Sequence, residues 1–459
     1  MVLMAWQNVR TGTPGRFAAL AAMAAGAVVA LPAPLAHAAT IPVACTVPAL
    51  VAAINTANEQ AGPDTLSLAG GCTYRLVTAD NGPNGLPAIT SEITVNGNGA
   101  TITRAQTAPA FRILFVAATG KLTLNSATIS GGRAETECQG TTDFACGGGI
   151  SSLGTLTVNN SRVRDNTAAH DAFALGGGID STGTVTLDNV EVSGNAAIYT
   201  GTSPEGGSAG GGVAGEGPLT VNNSRLHHNV VTNAEITESL AFGSGLAAFA
   251  PTTVKNSIIS DNRASAPGGL ARGGLTSGAP MTVTGTVIRN NTASAPGGTS
   301  QGGGAATNST LSLTATQVSG NLSTAPGGTA LSGAIQVAST GALTLTSSTV
   351  QGNTASVTGG GTAQGGAISN ATGGTVTTVQ STITGNTVSS PGGTALGGGI
   401  FTGVGSTTLT RSAVTANRAG DGGGIFEASG GTVTLNQTPV TGNTPNNCRP
   451  SGSVPGCAS

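Results

Sequence analysis

An all-β coil of stacked parallel strands is predicted by three observations. An eleven-residue module recurs from Leu122 almost to the C-terminus, an Asn closes nearly every copy, and a Gly-rich turn precedes most of them. Copies open at Leu122, Leu156, Val185, Leu219, Thr252, Met281, Leu311, Leu343, Val376, Thr407 and Val433, spaced 26 to 34 residues apart. Spacing of that order marks a chain built from internal repeats.

Read in columns, the module is mostly apolar, Thr, apolar, polar, polar, small, variable, aliphatic, polar, small, Asn, as in LTVNNSRVRDN from Leu156 to Asn166. The eighth column is always aliphatic, from Ile129 through Val163, Val318 and Val350 to Val440. The eleventh is Asn in every copy but the first, where Gly132 stands. Columns one and three, then six and eight, follow the period of two that turns one face of a strand inward.

The turn ahead of the module ends in one aliphatic residue, as in GGGI at Gly147–Ile150, Gly176–Ile179, Gly397–Ile400 and Gly422–Ile425. Each period is therefore expected to hold three short strands: one after the glycines, one on columns one to three, one on columns six to nine. Gly tolerates the positive φ of sharp corners and Asn is the next most tolerant residue, so a Gly corner and an Asn corner are expected. The intervening segments, such as TASAPGGTSQ (Thr292–Gln301) and TVSSPGGTAL (Thr387–Leu396), are expected to be turn-rich loops on one side of the rod. Parallel stacking at ~4.8 Å per coil makes a rod about 50 Å long plus caps. Stacked Asn side chains can then bond the turns above and below.

On these motifs the chain resembles right-handed parallel β-helix proteins of the pectin-lyase-like type. Its GGGI and SGN pairs are similar to the GGA(I/L/V) and FxxN repeats of bacterial polymorphic outer-membrane proteins, with Val, Ile or Leu in place of the Phe.

From the start of the chain, residues 1–38 carry Arg10 and Arg16, an uncharged apolar run from Phe17 to Leu31, and an A-x-A site at Ala36, His37 and Ala38. This is the pattern of a secretory signal cleaved between Ala38 and Ala39; the run is shorter than the ~20 residues of a membrane span. No later segment is long and apolar enough to span a bilayer. Residues 39–120 are expected to form an N-terminal cap and the first coils. Within them Cys45–Asn58 places Leu50, Val51, Ile54 and Ala57 on one helical stripe, which suits a short helix covering the open end of the first coil. Asp64–Leu68 and Gly70–Leu76 read as the first strands. The order Cys45, AINTAN (Ala53–Asn58) and DTLSL resembles the CSLREA-type N-terminal region found ahead of bacterial β-helix repeats, which implies a surface or secreted location. Residues 121–445 are the regular repeats and 446–459 a small C-terminal cap.

Eight per cent charged residues and a net charge of -2 leave no basic face for nucleic acid, and 38% hydrophobic content argues against disorder despite 74 glycines. All six cysteines follow the signal, as in exported proteins whose thiols oxidise in pairs. Sequence leaves the pairing open; the local pairs Cys45–Cys72, Cys138–Cys146 and Cys448–Cys457 are expected because each pins a cap or a loop. Zinc ligands at CxxC spacing are missing, and neither a metal nor a cofactor site is predicted.

Between Arg289 and Arg411 there is no Asp, Glu, Lys, Arg or His, so general acid–base chemistry has no group to use on that stretch; beyond it Asp421 and Glu427 are isolated, which points to the early coils. There the outward columns carry Arg162, Arg164, Glu191, Arg225, His227 and Arg289. A pectin-lyase-like enzyme implies a basic residue abstracting a proton beside a uronate, often with carboxylate-bound calcium, or paired aspartates in the hydrolases. Arg164, His227 and Arg289 are the candidates for such a role, but Asp165, Asp171, Asp180, Asp188, Glu191 and Asp261 are scattered singly. Solvated polar positions on an outer face are the plainer account, since fold does not confer function.

Column two is Thr in ten of the eleven modules and Ser312 in the other. Regular Thr arrays are what ice-binding β-solenoids present, although Thr is also an ordinary outward strand residue. The sequence thus points to a secreted or cell-surface β-helix with a structural, adhesive or glycan-binding role. A polysaccharide lyase or hydrolase working on the early coils is the alternative, and ice binding a minor one.

Overall fold

The computed structural model describes residues 38–459, apart from 61, 137, 139–140, 142, 235–237, 339 and 459. The expected signal segment therefore lies outside the described residues, save Ala38. The chain is an all-β parallel solenoid of about eleven turns, with a single helix among the described residues.

One coil shows how the repeat folds. Thr155–Asn159 enters a 14-stranded sheet (sheet I), Arg162–Arg164 a 13-stranded sheet (II), and Thr167–His170 a 9-stranded sheet (III). Phe173–Leu175 follows in a second 9-stranded sheet (IV), Ile179–Ser181 in a 12-stranded sheet (V), and Val185–Asp188 returns to sheet I one rung on. Equivalent columns pair in parallel, Leu156 with Val185 and Val163 with Val192.

The three strands expected per coil are those of sheets V, I and II. Sheets III and IV occupy segments expected to be loops: Thr292–Ser294 and Thr299–Gln301 are strands, and so are Thr387–Ser389 and Thr394–Leu396. Each is three residues long and turns one small residue inward, so neither length nor alternation betrays it. Sheets I, II and V enclose the main core, with Leu156, Val158, Val163 and Ile179 fully buried. Sheets III and IV close over a thin core of Ala174, Ala197, Val231, Ala264 and Ala271. A third interior, between sheets IV and V, holds Leu175 and Phe242 against Ala214 and Ala247.

The corners differ from expectation in one respect. Positive φ falls on columns five and ten, for example Asn160 (49°), Asp165 (56°), Asn223 (51°) and His228 (54°), and not on the Asn of column eleven. That Asn is buried and builds a ladder instead. Asn195 Nδ2 donates to Val163 O (2.9 Å) and to Asn229 Oδ1 (3.0 Å), while its Oδ1 accepts from the backbone N and Nδ2 of Asn166. Every polar valence is used, as a buried amide requires. The ladder begins at Gly132 N–H, which donates to Asn166 Oδ1, and ends on Asn447 Oδ1. It also explains the glycine before the aliphatic residue. A Cβ on Gly274 would lie 2.6 Å from Asn291 Cγ, and one on Gly178 3.0 Å from Asn195 Cγ. The two sequence motifs are thus two sides of one contact.

At the N-terminus Thr40–Val43 adds a rung to sheet I ahead of Asp64–Leu68. The helix, α1, spans Val47–Glu59, with Thr46 Oγ1 accepting from Ala49 N at its start and a Pro in its first turn. Its buried residues are Leu50, Ala53, Ile54 and Ala57; Val51, expected on that stripe, is half-exposed, because the helix turns Ala53 to the coil. Among the described residues no helix is long and apolar enough to cross a membrane.

Cys45–Cys72, Cys138–Cys146 and Cys448–Cys457 are disulfide-bonded. The first ties α1 to the opening coil across 27 residues, a loop whose closure is worth about 3–4 kcal/mol in the chain-entropy account. Replacing Cys45 and Cys72 with Ser is expected to strip amide-exchange protection from Asp64–Leu68 and leave Thr310–Thr314 unchanged. Equal protection in both segments would contradict a cap fastened by this bond.

Candidate functional site

Ionisable side chains gather on the outer face of sheet II over its early rungs. Column seven places Arg162, Glu191 and Arg225 side by side, and column nine runs Arg164, Ser193, His227, Ser260, Arg289. Register alone therefore puts the three sequence candidates in one rank. It also separates them: a serine rung lies between Arg164 and His227 and another between His227 and Arg289, so successive candidates stand roughly 10 Å apart at strand spacing. Arg164 instead pairs with Asp165 (2.9 Å).

His227 belongs to a different group. Arg162 Nε donates to Glu191 Oε2 (3.1 Å), His227 Nε2 meets Glu191 Oε1 (3.1 Å), and His227 Nδ1 meets His228 Nδ1 (2.8 Å). Glu191 accepts, so a proton on His227 Nε2 leaves its Nδ1 to accept from His228. The left-handed backbone at His228 turns its ring back toward His227. Burial pushes the Glu191 carboxyl up, but the hydrogen bonds from Arg162 and His227 outweigh it and hold the group below its usual range. A carboxylate kept ionised in this way binds cations or hydroxyls better than it delivers a proton. Beside it a shallow cleft of about 240 Å³ is lined by Asn160, Arg162, Asn189, Glu191, Asn223 and Arg225.

A second cleft, of about 440 Å³, lies where sheet III ends, between Arg133, Glu135, His170, Asp171 and Thr200. Arg133 and Glu135 form an ion pair. His170 Nδ1 accepts from Ala172 N–H (3.0 Å), which leaves the ring proton on Nε2, so the 3.3 Å approach of Asp171 is not a hydrogen bond while the ring is neutral. The sequence does not signal this group, because its strand, Thr167–His170, buries one residue and shows no alternation.

The scattered carboxylates stay scattered. Asp188 accepts from Asn223 and Asp261 from Asn290, and Asp180 is buried. Among the described residues one set, Cys138, Cys146 and Asp180, brings ligand atoms within 4.8 Å of one another, but the two sulfurs are bonded to each other and offer no thiolate. That set, with a single carboxylate, is not the carboxylate cluster that a lyase's calcium implies.

The outer face of sheet I has a different character. Its central column is Thr40, Thr65, Thr94, Thr123, Thr157 and onward to Thr408 and Thr434, in register on all fourteen rungs with Ser312 as the one exception. The neighbouring column carries an amide ladder on its early rungs, Asn159 to Asn125 to Asn96, at 3.0 Å per step. No protein-family profile matches the chain, and no curated protein matches it.

Proposed function

We propose that this is an exported, extracellular β-solenoid with a structural and adhesive role, which binds a neutral surface glycan along the outer face of sheet I. The observation that carries the reading is the hydroxyl rank of that face, one Thr or Ser on each of fourteen rungs. From Thr282 onward no charged residue stands in its outward columns. A hydroxyl both donates and accepts, so a flat rank of them at ~4.8 Å intervals offers a straight polysaccharide chain a repeated partner without a charge to desolvate. The leader-like N-terminus and three disulfides support export.

A second reading, a polysaccharide lyase or hydrolase working on sheet II, is favoured by the linked Arg162, Glu191, His227 and His228. One experiment separates the two. The mature protein is incubated with neutral and acidic polysaccharides, with and without calcium, while retention on the polysaccharide and new reducing or unsaturated ends are followed. Retention on a neutral polysaccharide without new ends is expected. Thr344→Glu with Thr377→Glu, which put two charges on the rank, are expected to weaken it at least about tenfold, the effect of misplaced polar groups at a desolvated contact. New ends that vanish in Glu191→Gln would establish the enzyme. Thermal hysteresis in place of retention would turn the same face to ice.

A further inference from the structure

The interior between sheets IV and V changes character along the rod. In the early coils it is mostly apolar, closed by Leu175, Phe242, Ala214 and Ala247, with the buried Asp180 in the same column three rungs before Thr276. One rung after Phe242 the same position is Arg272. Its side chain is 5% exposed. Nε donates to Gln301 Oε1 on the next rung (2.9 Å), and the guanidinium carbon sits 4.9 Å over the Phe242 ring.

Those contacts leave the charge uncompensated. Nη1 of Arg272 has no acceptor, and among the described residues no carboxylate pairs with it. Burial alone pulls this guanidinium down to about 10, which still leaves it protonated at neutral pH. A ring face offsets part of a buried positive charge, but an unpaired buried ion remains one of the costliest features an interior can hold.

The surroundings offer a further donor. Thr276 Oγ1, on the sheet V strand of the same coil, is likewise buried without a partner, and its column faces the interior that Arg272 enters, as Ala247 does beside Phe242. Space comes from small neighbours: Thr276 is flanked on adjoining rungs by Ala247 and Ala306.

We propose that Arg272, with the hydroxyl of Thr276, binds a small monovalent anion of the halide class between sheets IV and V. N–H and O–H donors with no carboxylate on the same or adjoining rungs of these two columns select for an anion. A water molecule satisfies the hydroxyl but brings no charge to meet the guanidinium. The anion neutralises the guanidinium and lets an arginine follow Phe242 on the same rung position.

The test uses bromide as the probe. Melting of the full mature protein is followed as sodium bromide replaces sodium gluconate at constant ionic strength, and crystals grown in bromide are measured at the bromine absorption edge. A ligand that binds the folded state alone raises the melting temperature logarithmically above its dissociation constant. The wild-type protein is expected to show that rise, and one anomalous peak is expected within hydrogen-bonding distance of Arg272. In Arg272→Met the rise and the peak are expected to disappear. Should that variant fail to fold, Thr276→Val, which removes one donor and keeps the shape, is expected to move the rise to higher bromide concentration. Wild-type melting indifferent to bromide, an equal rise in Arg272→Met, an unmoved rise in Thr276→Val, or bromide only at the surface would each overturn the site.

Discussion

Val318→Asp is expected to open the rod at its seventh module, with a loss of about 4–5 kcal/mol or more, the range for an unpaired charge placed in a core. Val318 is completely buried and sits in the column-eight ladder between Ile288 and Val350. Two terms add in the same direction. The aliphatic burial of a Val, roughly 1.5–3 kcal/mol, is forfeited, and a carboxylate is left among side chains with no donor to offer it. The new group escapes part of the penalty by taking up a proton, so the variant is expected to be least stable at neutral pH and to recover partly in acid. A solenoid is held by neighbour-to-neighbour contacts, so the damage stays local at first: protease cleavage and amide exchange are expected to appear between Ile288 and Val350 before Leu122–Val163 is affected. Unchanged melting and secretion would sink the inward assignment of column eight.

The same ladder shows which parts of the fold were legible. Columns one and three are mostly, and column eight entirely, Leu, Val and Ile because three sheets meet around one apolar centre, and aliphatic repetition survives any change in loop length. The 14-rung Thr rank was legible for the same reason over eleven modules, and Thr40, Thr65 and Thr94 extend it. Sheets III and IV were not, since one buried Ala or Val per strand, such as Ala264 or Ala293, carries no period. His170 and Arg272 lie on those two sheets, so the repeat pattern assigns them no place.

The charged group on sheet II was half legible. Register could be read from the columns, so Arg164, His227 and Arg289 fell into one rank as expected. Side-chain pairing could not be read, because Glu191 lies in column seven and reaches diagonally to a histidine of column nine. Corner chemistry was hidden in another way. Column five is Asn in four modules, which advertises the left-handed backbone, yet Ala315, Ser347 and Arg411 take the same conformation at the same place. Non-Gly residues pay for such a φ, and stacking evidently overrides the preference.

Asn321→Ala is expected to be the second most damaging single change, although it removes only an uncharged amide. Asn321 Nδ2 donates to Ile288 O (3.0 Å) and Asn353 Oδ1 (2.9 Å), and its Oδ1 accepts from Asn291 N (2.9 Å) and Asn291 Nδ2 (3.0 Å). Truncation orphans two donors and a carbonyl in a site 1% exposed, at about 1–3 kcal/mol for each buried group left unsatisfied. Asn353 Oδ1 is spared the full loss, since the backbone N–H of residue 321 still donates to it. Three such groups sum to about 3–9 kcal/mol, and a water entering the gap brings the loss toward the low end of that range. The amides from Asn166 to Asn443 also donate in one direction along the rod, so each bond polarises the next, and the defect is expected to weaken rungs on both sides. Asn436→Ala is the control: that amide is exposed on sheet I, bonded only to Thr410 Oγ1 at 3.4 Å, and its loss is expected to change stability by less than about 0.5 kcal/mol. Paired unfolding curves decide the matter, and equal shifts for the two variants would mean that the ladder follows the coil without holding it.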